Sequence, residues 1–210
     1  MAKNSGSITK KYRRLGMRPD VADGASASVT KALSKRNYPP GLHGPKGHRR
    51  MTDYGLHLQE KQRARLMYNI SEKQLRNLFK KGTKAKGDSG IKFIELLETR
   101  FDNVIFRIGL AVSRRQARQL VSHGLFLVNN KKLNVPSYAV KAGDVITIKK
   151  EKSLEKGPLA EGIKRSEKGE YPEWLMWEPS ENKGQVLNLP TGTDLEVGID
   201  TRLIVEYYSK

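Results

Sequence analysis

The sequence predicts an α+β fold, in which a mainly helical body carries a small module of two helices packed on a small antiparallel sheet. Apolar residues recur at spacings of three and four between residues 53 and 108, which is the period of amphipathic helices. The capping-box pattern that begins at Ser113 indicates a further helix. Short apolar runs between residues 125 and 148, separated by turn residues, indicate strands.

The charge of the chain predicts a polyanionic partner. Its 210 residues include 40 Lys and Arg against 22 Asp and Glu, a formal net charge of +18 with a pI of about 10.0. The first 150 residues hold 32 of the basic and 10 of the acidic side chains, whereas the last 60 hold 8 and 12. A phosphate backbone relieves the self-repulsion of such a chain, so this polarity favours a nucleic-acid surface over a generally cationic exterior.

Several function classes are excluded by patterns that the sequence lacks. There is no Cys, which excludes disulfides and thiolate metal sites, and His43 and His48 lie in a loop without the acidic companions of a metal site. The Gly-rich stretch 82–90 lacks the ending of a phosphate-binding loop, and no Ser stands in a nucleophile elbow. No apolar run reaches the roughly 18 residues of a membrane span. We therefore expect an intracellular protein that is not an enzyme and has no cofactor, metal, membrane contact or small-molecule substrate.

The first 50 residues are predicted to form a basic arm that stays irregular until RNA or the rest of the protein orders it. They are rich in Gly, Ser, Lys and Arg and lack a sustained apolar period. Residues 10–14 form a cationic cluster around Tyr12, and residues 38–50 form a loop dense in Pro and Gly.

Helices are expected next. The first covers about residues 53–68, and the second begins at the capping box of Ser71 and ends at Gly82. Residues 80–90 are predicted to be a flexible basic connector. Residues 90–108 have the clearest amphipathic period and are predicted to form one continuous helix.

The helix that begins at Ser113 is expected to end at Gly124 and to present three guanidinium groups beside its apolar face. At about 100° per residue, Arg114, Arg115 and Arg118 fall within about 100° of one another. Arg offers a planar fork to phosphate and stacks on bases, so three Arg without an acidic neighbour favour RNA contact over a merely solvated face.

A small sheet is expected to follow this helix. Strands are predicted at residues 125–128, 131–135 and 145–148. Asn129 and Asn130 suit the positive φ angles of a tight hairpin turn.

The chain after residue 149 changes character. Residues 149–171 are charged and weakly periodic, which leaves a solvated helix or a linker open. Two apolar patches follow at residues 174–177 and 185–189, and the Trp residues of the first are expected in a core. Residues 203–208 are predicted to form a short terminal strand.

The predicted module resembles the small RNA-binding module named after small-subunit ribosomal protein four. The resemblance is carried by residues 113–124, 128–129, 136–138 and 143–146. RNA-modifying enzymes also contain this module, so the flanking sequence must distinguish the ribosomal protein family from these enzymes. It resembles the ribosomal protein family itself, from Lys10 to the C-terminus, through residues 39–44, 53–56, 60–62, 72–74 and 203–210.

The resemblance implies a domain organisation. A basic N-terminal arm with its Pro/Gly loop would cover residues 1–50, and a helical body residues 51–96. The RNA-binding module would be inserted as residues 97–150, and residues 151–210 would pack back on the helical body.

The resemblance also implies a structural role in the small ribosomal subunit. Members of the family bind a multi-helix junction in the five-prime domain of small-subunit rRNA early in assembly, and they contact small-subunit protein five, which affects translational accuracy. They also line the path by which mRNA enters the subunit, where Lys46, His48, Arg49 and Arg50 would face the message. The expected location is the small subunit of the cytoplasmic ribosome, with an organellar ribosome left open, and several bacterial members repress their own mRNA.

This sequence departs from the family in two respects. Many members bind zinc or an iron–sulfur cluster through Cys residues near the N-terminus, and this chain has none. Pro residues and backbone contacts are therefore expected to hold that segment. The familiar pattern also often has Gln and Gly where this chain has Leu42 and Asn130.

The sequence therefore predicts a protein that clamps folded RNA from three surfaces: the N-terminal arm, the helices between residues 53 and 81, and the Ser113 helix with its hairpin. An RNA-modifying enzyme and a general nucleic-acid chaperone or DNA-architectural protein are the alternatives. The predicted RNA-binding residues are Lys10, Lys11, Arg13, Arg14, His43, Lys46, Arg49, Arg50, Tyr54, Lys61, Arg63, Arg65, Lys73, Arg76, Arg114, Arg115, Arg118, His123, Lys131 and Lys132.

Overall fold

A computed structural model describes residues 7–17, 27–47, 50–149, 158–167, 171–191 and 198–209. The chain divides into two compact units, Met1–Phe93 with Glu196–Lys210, and Ile94–Leu195. The described part of the first unit is helical, and the second unit contains an antiparallel sheet, which confirms the α+β class. No helix in the described ranges is long and apolar enough to cross a membrane. Residues 151–210, expected to act as one segment, are divided between the two units.

The first unit contains five complete helices in its described ranges and the beginning of a sixth. The two longest of them open with side-chain caps: Thr52 accepts a hydrogen bond from the backbone of Gly55 (3.2 Å), and Ser71 forms the predicted capping box with Gln74. The helices are α1 (Ile8–Arg14), α2 (Ala27–Lys35), α3 (Asp53–Met67), α4 (Glu72–Lys84), α5 (Ser89–Glu98, which runs into the second unit) and α9 (Thr201–Ser209), with a short 3-10 turn at Gly44–Lys46.

The described part of the N-terminal arm forms two helices, and the rest of the first unit helps to order it, as expected, because Gln59 and Arg63 of α3 donate hydrogen bonds to the Leu15 carbonyl oxygen (2.8 and 3.0 Å). The helices α1 and α2 pack against each other and bury Tyr12, Val29 and Leu33. These few apolar residues give the arm a small core of its own, which a search for a long apolar period could not detect.

The Arg13 side chain and close backbone contacts tie this segment together. Arg13 donates hydrogen bonds to the carbonyl oxygens of Tyr38 (2.9 Å) and Pro39 (3.3 Å), and its guanidinium lies 4.7 Å from the Tyr38 ring centroid. The backbone of Gly44 approaches so closely that a Cβ there would overlap the Pro39 carbonyl oxygen. The expectation that Pro and backbone contacts hold the segment therefore agrees with the structure, with Arg13 as an additional donor.

The predicted terminal strand is wrong, because residues 201–209 form α9. Asp200 caps this helix by accepting a hydrogen bond from the backbone of Arg202 (2.9 Å). Ile204 is fully buried, and the ring of Tyr208 stacks on Phe79 with centroids 4.6 Å apart. The β-branched and aromatic residues of this segment favour strand locally, but packing against α3 and α4 decides its structure.

The second unit places helices beside a five-stranded antiparallel sheet with the strand order β2-β1-β3-β5-β4. The predicted hairpin is confirmed, with φ angles of 49° at Asn129 and 63° at Asn130. The elements that follow α5 are α6 (Phe101–Arg107), α7 (Arg114–Ser122), β1 (Phe126–Val128), β2 (Lys131–Leu133), β3 (Val145–Ile148), α8 (Pro158–Ser166), β4 (Leu175–Glu178) and β5 (Lys183–Val186).

The two apolar patches after residue 171 form β4 and β5, and these strands extend the predicted sheet. Strand β5 pairs with β3, where Ile146 lies opposite Gly184. Trp174 and Trp177 are buried in the same core as Phe101 and Phe126, as expected of core residues. The helix α8 shows that the charged segment before the patches is helical over its described residues 158–166.

The predicted continuous helix over residues 90–108 is broken between α5 and α6. Arg100 is extended, with φ −66° and ψ 137°. The backbone N–H of Phe101 donates to the Tyr138 carbonyl (2.8 Å), and that of Val140 donates to the Thr99 carbonyl (2.9 Å). These tertiary hydrogen bonds replace helical ones, and a sequence period cannot reveal them.

Candidate nucleic-acid interface

Helix α4 presents the clearest cationic face of the first unit. Successive side chains rotate by about 100°, so positions three, four, seven and eleven residues apart share one side. The opposite side packs inward through Leu75, Phe79 and Gly82. The exposed basic side chains of this helix are Lys73, Arg76, Lys80, Lys81 and Lys84.

Sequence reasoning missed three of these residues. It placed Lys80, Lys81 and Lys84 in a flexible connector, whereas the helix continues to Lys84. The signal was available, because Gly82 continues the buried stripe of Leu75 and Phe79 at helical spacing. Reading Gly82 as a helix stop hid the longer face.

Lys61 is a predicted RNA contact that the structure buries. Its side chain is 5% exposed, and Nζ lies 2.7 Å from Glu72 Oε1 and 4.5 Å from the Tyr207 ring centroid. Arg63 pairs with Glu60 (2.9 Å) and donates to the Leu15 carbonyl (3.0 Å). Both side chains hold elements of the first unit together, so a surface role for Lys61 is contradicted.

The remaining predicted contacts of the first unit differ in exposure. Lys11 and Arg13 are half-buried, and Arg65 is half-buried near Glu72. His48 and Arg49 lie outside the described residues. The exposed residues are Lys10, Arg14, His43, Lys46, Arg50 and Tyr54, together with Lys73 and Arg76 on α4.

The predicted arginine face of α7 is only partly at the surface. Arg115 is exposed and the Arg118 side chain is 23% exposed, but the Arg114 side chain is 3% exposed. Arg114 Nε donates to Asn103 Oδ1 (2.7 Å), and its guanidinium lies 4.6 Å from the Phe106 ring centroid. The prediction that all three guanidinium groups are presented is therefore wrong, because α6 covers Arg114.

A buried polar network joins the end of α5 to α6, the helix that covers Arg114. Glu98 accepts two hydrogen bonds from Arg107, both of 2.9 Å, and one from Asn103 of 2.7 Å. Arg100 holds Asp102 in a two-point contact of 3.0 and 2.7 Å. Buried carboxylates are tolerated only when they are paired and hydrogen-bonded, so these arginines serve the fold first.

The end of α7 and the β1–β2 hairpin bring further positive groups together. His123, Lys131 and Lys132 are exposed. Gly124 has a φ of 69°, and a Cβ there would touch the side chain of Lys132. Lys132 therefore lies across the C-terminal end of α7, close to the neighbouring His123.

The hairpin is fixed by a buried carboxylate. Asp144 accepts hydrogen bonds from Asn129 Nδ2 (2.8 Å), the Lys141 backbone (2.9 Å) and the Tyr138 hydroxyl (3.3 Å). Burial, and then the charge of Asp144, raise the pKa of Tyr138. Asp144 thereby holds the turn that carries Lys131 in one geometry.

Two family descriptions match successive parts of the chain. "Ribosomal protein S4/S9 N-terminal domain" matches residues 3–98, and "S4 domain" matches residues 99–146. Similar relatives are proteins named "Small ribosomal subunit protein uS4". The one from Thermodesulfovibrio yellowstonii is 42% identical over 213 residues, that from Cutibacterium acnes 43% over 212, and those from Porphyromonas gingivalis 44% over 211. Each comparison covers 100% of this chain and 100% of the relative.

Proposed function

The chain belongs to the ribosomal protein S4 family, whose members are structural proteins of the small ribosomal subunit, and from this premise we propose that it binds the five-prime domain of small-subunit rRNA and nucleates its assembly. The observation that carries the proposal is the one-sided face of α4, where five basic side chains are exposed opposite a buried apolar side. Such a face suits the phosphate backbone of folded RNA.

The second unit supplies a separate set of contacts. Arg115, Arg118 and the hairpin lysines Lys131 and Lys132 give it positive groups that reach solvent. Double-stranded RNA is recognised mainly by its shape and its phosphates. We therefore expect affinity to come from charge, and selection of the junction from the fixed geometry of the helix and hairpin.

We also propose two finer roles, which the resemblance to the family implies. Lys46 and Arg50 are exposed, which supports a path for mRNA past the loop that contains them, together with His48 and Arg49. Contact with small-subunit protein five would link the protein to translational accuracy. Both proposed roles lie within the ribosome.

The test is binding to the five-prime domain of small-subunit rRNA at moderate ionic strength. We expect at least a hundredfold preference for this RNA over duplex DNA of equal length. Equal affinity for both would identify a general nucleic-acid chaperone instead. Crosslinking in assembled subunits tests the two finer roles, with contacts to mRNA expected at Lys46 and Arg50 and contacts to protein five expected elsewhere on the chain.

A further inference from the structure

A cleft opens between α1 and α2 in the first unit. It has a volume of about 220 Å³. Residues four apart on α1 and residues three and four apart on α2 share a helix face, so each helix turns one side toward the cleft. The lining residues are Thr9 and Arg13 from α1, and Ala32, Lys35 and Arg36 from the C-terminal part of α2 and the residue after it.

We propose that this cleft is a phosphate-binding site that holds one phosphodiester group of the RNA backbone. The inference rests on the proposed RNA-binding function and adds to it a defined site with a defined ligand group.

The described contacts of the Arg13 guanidinium hold it in place through uncharged groups. Among the described residues, its hydrogen bonds go to the backbone carbonyls of Tyr38 and Pro39, and it also contacts the Tyr38 ring. These described partners are neutral, so they orient the cation but do not cancel its charge. A donor that is already held in one geometry loses little entropy when a ligand binds.

The other lining residues complete an anion site. Lys35 and Arg36 are exposed and bring two more positive charges, and none of the described residues that line the cleft is acidic. The hydroxyl of Thr9 can donate a hydrogen bond to a phosphate oxygen. Three cations and one hydroxyl around a small cleft favour a group with several acceptor oxygens and a negative charge.

The size of the cleft favours a phosphate with part of its sugar. Pockets for whole small molecules begin at about 300 Å³, and this one is smaller. Lys10 and Arg14 are exposed and directly follow the lining residues Thr9 and Arg13, so the positive surface continues around α1. A continuing surface suits a polymer that runs past the cleft better than an isolated ion.

The decisive experiment is an NMR titration of the full-length protein, observing Thr9, Arg13 and Ala32. The ligands are the dinucleotide UpU, uridine 5′-monophosphate, inorganic phosphate and tetraglutamate. We expect saturable shifts with UpU that disappear in Lys35→Gln/Arg36→Gln. The matched control Lys164→Gln/Arg165→Gln removes an exposed Lys–Arg pair of α8 and should shift like the parent protein. Arg13 itself is left intact because it holds the loop.

The outcomes of the titration are distinct. Shifts that are absent, or equal in the two variants, would overturn the site. Shifts with inorganic phosphate or the monophosphate but not with UpU would assign a free phosphate ester and overturn the RNA backbone as ligand. Shifts with tetraglutamate alone would assign an acidic protein segment instead.

RNA binding by the same variants separates this inference from the proposed function. We expect the cleft variant to bind the five-prime domain RNA about tenfold more weakly, and the slope of log affinity against log salt to fall by about one. If the parent protein binds this RNA and the cleft variant binds it as well as the control variant does, the proposed phosphate site is wrong and the proposed function stands. If the parent protein ignores the RNA, the function is wrong, and the titration still decides the cleft.

Discussion

Adjacent residues of α7 have opposite roles. Arg114 is buried against Asn103 and Phe106, whereas Arg115 is exposed to solvent. The helical period places them 100° apart and predicts that both reach the surface. Only the position of α6 distinguishes the two residues. That position follows from the tertiary hydrogen bonds that interrupt the helix at Arg100.

Reversing the exposed charge of Arg115 should weaken RNA binding and preserve the fold, whereas Arg118 is left intact because its guanidinium lies 3.8 Å from the buried carboxylate of Asp102. We expect Arg115→Glu to reduce affinity for the five-prime domain RNA at least tenfold, or about 1.4 kcal/mol. Glu near the beginning of a helix is favourable for the helix dipole, so the fold should tolerate Arg115→Glu. Filter binding and circular dichroism measure the two effects. Unchanged affinity with an intact fold would remove α7 from the interface.

Arg114→Ala should affect the stability of the second unit. The substitution takes the donor from Asn103 and a cation from beside the buried Glu98. Breaking a buried ion pair in this way typically costs about 3 kcal/mol or more. A urea titration measures the loss. A variant as stable as the parent protein, but deficient in RNA binding, would show that Arg114 reaches the RNA after all.

Tyr208 should make the first unit sensitive to alkaline pH. Burial, and then the neighbouring Glu72, raise the pKa of its hydroxyl above the ordinary value near 10. Its contribution to stability is therefore present below pH 10 and is lost as pH rises toward the folded pKa. Tyr208→Phe should flatten this dependence, as measured by the urea midpoint between pH 9 and 11. Parallel curves for both proteins would contradict the assignment.

The helices and strands show where sequence periodicity suffices. Local sequence patterns predicted α3, the caps of α4 and α7, and the hairpin, because these features depend on neighbouring residues such as Ser71 and Asn129. They failed for α9 and for the break before α6, where contacts with distant residues override local preference. For the site, they found the exposed Arg115 and missed Lys80, because one helix was ended too early.

The face of α4 should dominate the salt dependence of RNA binding. Changing Lys73, Lys80 and Lys84 to Gln keeps helix propensity and removes three charges. We expect the slope of log affinity against log salt to fall by about 2 to 3. The control changes three exposed lysines elsewhere to Gln, namely Lys141, Lys164 and Lys183. Equal slopes for both triple variants would place the RNA on another surface.

At the scale of the whole molecule, the sheet sets the minimal folding unit. Strand β3 is hydrogen-bonded to β5, so the match to the module at residues 99–146 ends before the sheet is complete. We expect a fragment of residues 94–195 to unfold cooperatively, and one of residues 94–150 to self-associate through the unpaired edge of β3. Thermal melting and sedimentation measure both. A monomeric, cooperative short fragment would contradict this.

Helix α9 delays the folding of α3 until late in translation. His57 on α3 contacts Glu206 (2.8 Å), and Lys61 contacts Tyr207, so α3 lacks its partner until translation has passed residue 209. At elongation rates of about 5–20 residues per second, α3 waits on the order of ten seconds after it emerges. A chain that is truncated before α9 would leave α3 exposed. Proteases would then degrade the truncated chain before it competes with the full-length protein for incorporation into an assembling ribosomal subunit.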